Sequence, residues 1–150
     1  MATAPVPESE LSTGLLLFLP YRALESRVFA VLAEAGFDDF TPAQARVLQR
    51  VGPDGTRLTE LAEQAQITKQ TAGFLVDQLE KAGYVTREPD PSDRRARLVC
   101  LAERARAAQP VAARVVAEVE AEWEAHLGKR RMTQLRQALT LLREITDPYA

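Results

Sequence analysis

Apolar residues recur every three or four positions through most of this chain, and one short stretch breaks that rhythm. Over residues 11–35, Leu11, Leu15, Phe18, Leu19, Ala23, Val28, Val31, Leu32 and Ala35 make a wide apolar face, which predicts a helix. Pro20 removes one backbone donor and is expected to kink it or mark a restart, and Gly36 is a natural stop. The face is too apolar for an isolated N-terminal helix, so it is expected to pack against another chain. Thr41-Pro42-Ala43-Gln44 carries an N-cap, a first-turn proline and a glutamine three residues on, which predicts a helix running to about Val51. Gly52-Pro53-Asp54-Gly55 then turns the chain. Leu58 reads as a brief extended contact, and Thr59 as the cap of a second helix, Glu60–Gln66, with Leu61 and Ala62 facing inward. Thr68 is placed to cap a third helix, Lys69–Ala82, with Leu75, Val76 and Leu79 as its inward stripe and Gly83 as its end.

The period then changes. Tyr84–Glu88 and Ala96–Leu101 are short β-like runs around a tip containing Pro89, Pro91, Ser92 and Asp93, whose types favour a hairpin turn. Helical spacing returns over Ala102–Leu127, interrupted by Pro110, with Val111, Val115, Val119 and Trp123 four apart on one face. Glu118, Glu120, Glu122 and Glu124 are spaced by two, which spreads them around that helix. A last helix, Arg130–Ile145, has Met132, Leu135, Leu139 and Leu142 in its stripe. A short helix, a tight turn, a second helix and a hairpin make a winged helix-turn-helix. The fold class is therefore mainly α with a small β-hairpin wing, and the apolar first and last two helices form a second subdomain.

Composition narrows the function. At 150 residues and 46% hydrophobic, the chain suits one globular domain. Its longest early apolar run, Leu15–Leu19, ends at Pro20, far short of the ~20 residues that span a bilayer. Residues 1–10 carry two prolines and no basic residue and read as a disordered tail. No membrane association is expected, and the implied location is cytoplasmic. A single cysteine, Cys100, and a single histidine, His126, leave no material for a metal cluster or a nucleophile–base pair, so neither an enzyme nor a cofactor is expected. The net charge of −2 argues against a surface that binds nucleic acid everywhere. Residues 87–106, however, hold six arginines against four acids, and Arg94, Arg95 and Arg97 crowd the hairpin tip. Local fields steer binding more than net charge does.

With these elements in place, the chain resembles the multiple-antibiotic-resistance regulator (MarR) family of transcription factors. The resemblance is carried by Leu58-Thr-Glu-Leu-Ala62, Thr68-Lys-Gln-Thr71, Leu75-Val-Asp-Gln-Leu-Glu80, Gly83-Tyr-Val85 and, most diagnostic, Asp90-Pro-Ser-Asp-Arg-Arg-Ala-Arg-Leu-Val99. It covers residues from about 11 to 146. It implies a homodimer joined by residues 11–40 and 102–150, with residues 41–101 as a DNA-binding region that reads a pseudo-palindromic operator in double-stranded DNA. The helix beginning at Thr68 would enter the major groove, where Thr68, Lys69, Gln70 and Thr71 offer donors to phosphates and bases. The hairpin tip would reach the minor groove. There the family's aspartate-x-arginine pattern falls on Asp93 and Arg95, making Arg95 the inserted side chain, Asp93 its brace, and Arg94 and Arg97 phosphate contacts. Repression, released by a small aromatic or lipophilic anionic effector, is the implied mode. Three departures from the family pattern stand out: Gly73, Phe74 and the segment Leu101–Ala105, which lacks the usual threonine cap and glycine. Phe74 is read as core, with contact to a thymine methyl as the alternative.

Other residues invite a role. Cys100 alternates with Val99 and Leu101 in its strand, and packing is the favoured reading over redox sensing. Trp123 and His126 are read as interface packing. Phe18, Tyr21 and Arg22 together suit an aromatic anion but are not assigned as a site. The rival to DNA binding is a winged helix that binds protein, against which the three tip arginines speak.

Overall fold

The computed structural model describes residues 10–147, so the tail expected over residues 1–10 lies, but for Glu10, outside the described residues. In chain order the elements are α1 (Thr13–Glu34), α2 (Pro42–Leu48), β1 (Thr56–Arg57), α3 (Leu58–Gln64), α4 (Lys69–Lys81), β2 (Val85–Asp90), β3 (Asp93–Leu101), α5 (Glu103–Leu127) and α6 (Lys129–Thr146). This is the mainly helical winged helix-turn-helix that the pattern predicts. Neither Pro20 in α1 nor Pro110 in α5 ends its helix.

The capping box at α2 is formed on both sides. The Thr41 hydroxyl accepts from the Gln44 N–H at 3.3 Å, and the Gln44 side-chain oxygen accepts from the Thr41 N–H at 3.0 Å. Gln44 is nearly buried and also donates to the Gln78 side-chain oxygen at 2.7 Å, which pins α2 to α4. Its satisfied amide makes that burial tolerable.

Two expectations need correction. Helix α2 stops at Leu48, not near Val51, and a turn carries Val51 into the core. Thr59 is not a cap: α3 starts at Leu58 with Arg57 at its N-cap and no side-chain cap bond. The cause of the second is a strand too short to show alternation. Thr56 and Arg57 pair antiparallel with Val99 and Leu98, so the expected two-stranded hairpin is a three-stranded sheet of order β1-β3-β2. Gly55 makes that entry possible. Its φ is +88°, and a Cβ there would lie 2.7 Å from Cys100 Sγ and 3.0 Å from Leu98 Cβ.

The core gathers Val47, Leu61, Val76, Leu79, Tyr84, Val85 and Val99, so the predicted inward stripes of α3 and α4 are buried. Tyr84 sits at a junction the sequence reading does not anticipate. Its hydroxyl donates to Asp39 Oδ1 at 2.6 Å, and Arg104 donates to Asp39 Oδ2 at 2.7 Å. Arg104 also donates to the carbonyls of Ala82 and Gly36, at 2.7 and 3.2 Å, with its guanidinium carbon 4.4 Å from the Tyr84 ring centre. One side chain at the start of α5 thus binds carbonyls just beyond α1 and α4, which helix geometry leaves without intrahelical donors. The hydrogen bond from Arg104, and then that from Tyr84, holds the Asp39 carboxyl below its ordinary pKa. Burial pushes the Tyr84 hydroxyl up.

Helix α5 packs on both α1 and α6. Large parts of those two partners remain uncovered. Leu15, Leu16, Leu17, Phe18, Leu19 and Tyr21 on α1 are 36–51% exposed. Every residue of α6 from Arg136 to Thr146 is exposed, including Leu139, Leu141, Leu142 and Ile145.

Candidate nucleic-acid interface

Thr68, Lys69, Gln70 and Thr71 are all exposed at the start of α4. Thr68 is the N-cap: its hydroxyl oxygen accepts from the Thr71 N–H at 3.1 Å and its hydroxyl donates to the Thr71 hydroxyl oxygen at 2.9 Å. That arrangement leaves the Thr71 hydroxyl hydrogen, the Lys69 ammonium and the Gln70 amide for an outside acceptor. The turn before α4 is set by Gln66 at φ +57°, whose side chain donates to the Glu63 carbonyl at 2.8 Å.

Phe74 is 61% exposed and is not core. At about 100° per residue it shares a face with Gln70, Thr71 and Asp77 and points away from Val76 and Leu79, which are buried. A Cβ at the neighbouring Gly73 would meet Leu58 at 3.7 Å, an ordinary contact, so core packing does not require that glycine.

The wing is longer and its turn tighter than the sequence suggests. Strands β2 and β3 reach to Asp90 and Asp93, leaving only Pro91 and Ser92 between them. Arg94, Arg95 and Arg97 therefore lie on β3. The pairing steps from Pro89↔Arg97 to Asp90↔Asp93, so Arg94, Arg95 and Ala96 have no counterpart on β2 and form an irregular bulge. All three arginines are exposed. Among the described residues, none of their guanidinium groups is in an ion pair. The Asp93 carboxylate accepts from the Arg95 N–H at 3.0 Å, a contact to the main chain and not to the guanidinium.

Two further groups, missed in the sequence, hold the wing. Asp90 is 7% exposed and accepts from the Ser92 N–H at 2.8 Å, the Ser92 hydroxyl at 2.7 Å and Arg57 Nε at 2.9 Å. The Ser92 donors and then Arg57 lower its pKa to about 2. The Asp90-Pro91-Ser92 order is itself a turn signal in which aspartate bonds the backbone two residues on. Arg87 on β2 donates to Asp77 at 2.7 Å and Glu80 at 3.0 Å, which ties the wing to α4 and offsets two carboxylates beside its exposed face. Arg57, Arg87 and Arg104 thus fasten the fold, whereas Arg94, Arg95 and Arg97, among the described residues, are in no ion pair.

A cavity of about 230 Å³ lies between α1, α2 and α5. Its walls are largely apolar, with Leu24, Phe29, Phe40 and Ala108 among them, and Tyr21, Glu25 and Arg46 add polar groups. The Tyr21 hydroxyl donates to Glu25 at 3.0 Å. Phe18 and Arg22 stack on one another at 5.8 Å and do not line this cavity, nor do Trp123 and His126. Phe40 forms a wall and also meets Tyr84 edge-on, with ring centres 5.2 Å apart. Cys100 is half-buried and burial pushes its thiol pKa up, as a packing role requires.

Comparison with known proteins gives a consistent picture. The sequence model of the MarR family matches residues 38–96. An uncharacterised helix-turn-helix transcriptional regulator of Bacillus subtilis, YcgE, is 45% identical over 51 residues, which is 34% of this chain and only 32% of that relative's length. The transcriptional repressor CouR, solved on a 23-mer DNA duplex, is similar with a TM-score of 0.68 at 28% identity, over 89% of this chain and 93% of that one. The MarR family protein Rv2887 of Mycobacterium tuberculosis, solved with salicylic acid, gives a TM-score of 0.62 at 28% identity, over 89% of this chain and 97% of that one. Among the described residues, no helix is long and apolar enough to cross a membrane.

Proposed function

Because the chain belongs to the MarR family of winged helix-turn-helix transcriptional regulators, we propose that it is a homodimeric, sequence-specific DNA-binding repressor released by a small ligand. The observation that carries this reading is the wing: three unpaired, exposed arginines on a bulged strand whose base is staked by Asp90 and Arg87. Such a probe suits the narrow, electronegative minor groove. Arg95 is the inserted side chain, and Arg94 and Arg97 contact phosphates. The N-terminus of α4, with Thr68 as cap and Lys69, Gln70 and Thr71 as donors, lies in the major groove.

Residues 41–101 form the DNA-binding region, and residues 11–40 and 102–150 the dimerisation region. The uncovered faces of α1 and α6 support dimerisation. An isolated helix of eleven residues is marginal in water, and a contiguous apolar patch of this kind marks an interface. Two-fold symmetry then sets half-sites about 10 bp apart. The cavity between α1, α2 and α5 is the ligand site, and its aromatic walls with Arg46 suit a small aromatic or lipophilic anion. CouR on DNA and Rv2887 with salicylic acid give precedents for both partners in similar chains. A ligand releases DNA only if it binds one spacing of the recognition helices better than the other.

Gel-shift titration of the wild type, Arg95→Ala and Arg94→Ala on fragments selected from a DNA pool, at several salt concentrations, tests this. Loss of the inserted arginine from each protomer should weaken binding, whereas Arg94→Ala, which removes one phosphate contact per protomer, should make the log–log salt slope shallower by about 2, at ~0.9 per phosphate contact. Equal affinity of Arg95→Ala would remove Arg95 from the interface, and an unchanged slope for Arg94→Ala would remove Arg94 from the phosphates. A monomer in light scattering would remove the dimer.

A further inference from the structure

We infer that Phe74 reads the C5-methyl group of a thymine in each half-site, and is the residue through which this chain selects sequence by apolar contact. The inference rests on the DNA-binding reading above. A large aromatic that is 61% exposed in the second turn of α4 is not serving the core, which takes Ala72, Leu75, Val76 and Leu79 from the same helix. Phe74 lies on the side shared with Gln70, Thr71 and Asp77, the side that carries the exposed donors of the helix N-terminus. Gly73 beside it has no side chain to hold the helix off a surface, and packing against Leu58 leaves room for one. Asp77, which would otherwise set a bare carboxylate on the same side as the ring, is paired with Arg87.

The base edges in a major groove offer one apolar feature, the thymine methyl. Gln70 is one helical turn before Phe74 on the same face. An amide that pairs with adenine N6 and N7 and a ring that covers a methyl together suit A·T pairs, either one pair or two neighbours.

The test uses duplexes enriched from a random pool by the full wild-type chain, with each thymine of the half-site replaced in turn by deoxyuridine, which removes only the methyl. Burying one methyl group corresponds to about four-fold in affinity, so one thymine position should cost the wild type about four-fold when replaced in one half-site and about fifteen-fold when replaced in both. Phe74→Ala, at an exposed helical position, should fold with unchanged circular dichroism and bind thymine and deoxyuridine duplexes alike. Wild-type affinity that is indifferent to deoxyuridine at every position, or an equal loss in Phe74→Ala, overturns the assignment. A wild type that enriches no sequence and shifts no DNA at low salt overturns the DNA-binding reading itself, and is recognised before any thymine is replaced.

Discussion

Replacing Tyr84 separates what its ring does from what its hydroxyl does. The side chain is fully buried where Asp39, Phe40 and Arg104 converge. Tyr84→Phe deletes one hydrogen bond to a carboxylate, of a kind that contributes about 1.5–3 kcal/mol. Asp39 keeps its bond to Arg104 and is 43% exposed, so water can take the vacated place. The expected cost is therefore nearer 1 kcal/mol, the size of an ordinary hydrogen bond. Tyr84→Ala also empties the ring's volume, a loss of about 3–5 kcal/mol for a buried aromatic. It also removes the edge contact with Phe40 and the cation–π contact with Arg104, worth roughly 0.5–1.5 kcal/mol each. Urea unfolding followed by helical circular dichroism, at one fixed protein concentration because the stability of the proposed dimer would depend on it, measures both. The ring should outweigh the hydroxyl several-fold. A Tyr84→Phe variant as unstable as Tyr84→Ala would show that the polar junction, not packing, holds this corner together. A Tyr84→Phe variant with no loss would show that the bond to Asp39 contributes nothing.

The same assay addresses the strand entry and the wing. Gly55→Ala must strain a backbone at φ +88° and crowd Cys100 and Leu98, whereas Gly36→Ala meets φ +94° in open space. Gly36→Ala should cost about 1–2 kcal/mol and Gly55→Ala about 1–3 kcal/mol more from overpacking; equal costs would refute the contact. Asp90, whose pKa falls from 3.8 unfolded to about 2 folded, stabilises the fold fully above about pH 4, and that stabilisation is lost as pH falls toward 2. Stability of Asp90→Asn should therefore depend less on pH than the wild type across that window, and identical profiles would show that Ser92 and Arg57 do not hold the carboxylate as drawn.

How far the sequence could be read depended on whether a residue's signal was local. The capped starts at Thr41 and Thr68 and the stripe Leu75, Val76 and Leu79 are periodic or motif-like, and they form as expected. The strand Thr56–Arg57 is too short to show a period, and its pairing with Val99 and Leu98 lies some forty residues away in the chain. Thr59 has the residue type of a cap, but it stands in a segment whose start is set by the sheet. Phe74 reads as core by residue type, although its helical angle separates it from Val76 and Leu79. The exposed tip arginines were legible from composition. Their fastenings were not: Asp39, Arg57, Arg87, Asp90 and Arg104 act through partners from 2 to 68 residues away. Asp90, bonding Ser92, was the one within local reach.

Phe40 belongs both to the cavity wall and to the edge contact with Tyr84, and Arg104 beside that contact holds the carbonyl that closes α4. If that chain of contacts couples the cavity to α4, the helix proposed to read DNA, the coupling works in both directions by the same factor. A ligand that lowers affinity for the operator a hundred-fold must itself be held a hundred-fold less tightly by protein on DNA, as follows from that reciprocity for about 2.7 kcal/mol of coupling. Abundant operator sites would then act as a competitor for the ligand, and the concentration needed for release would rise with the number of sites occupied.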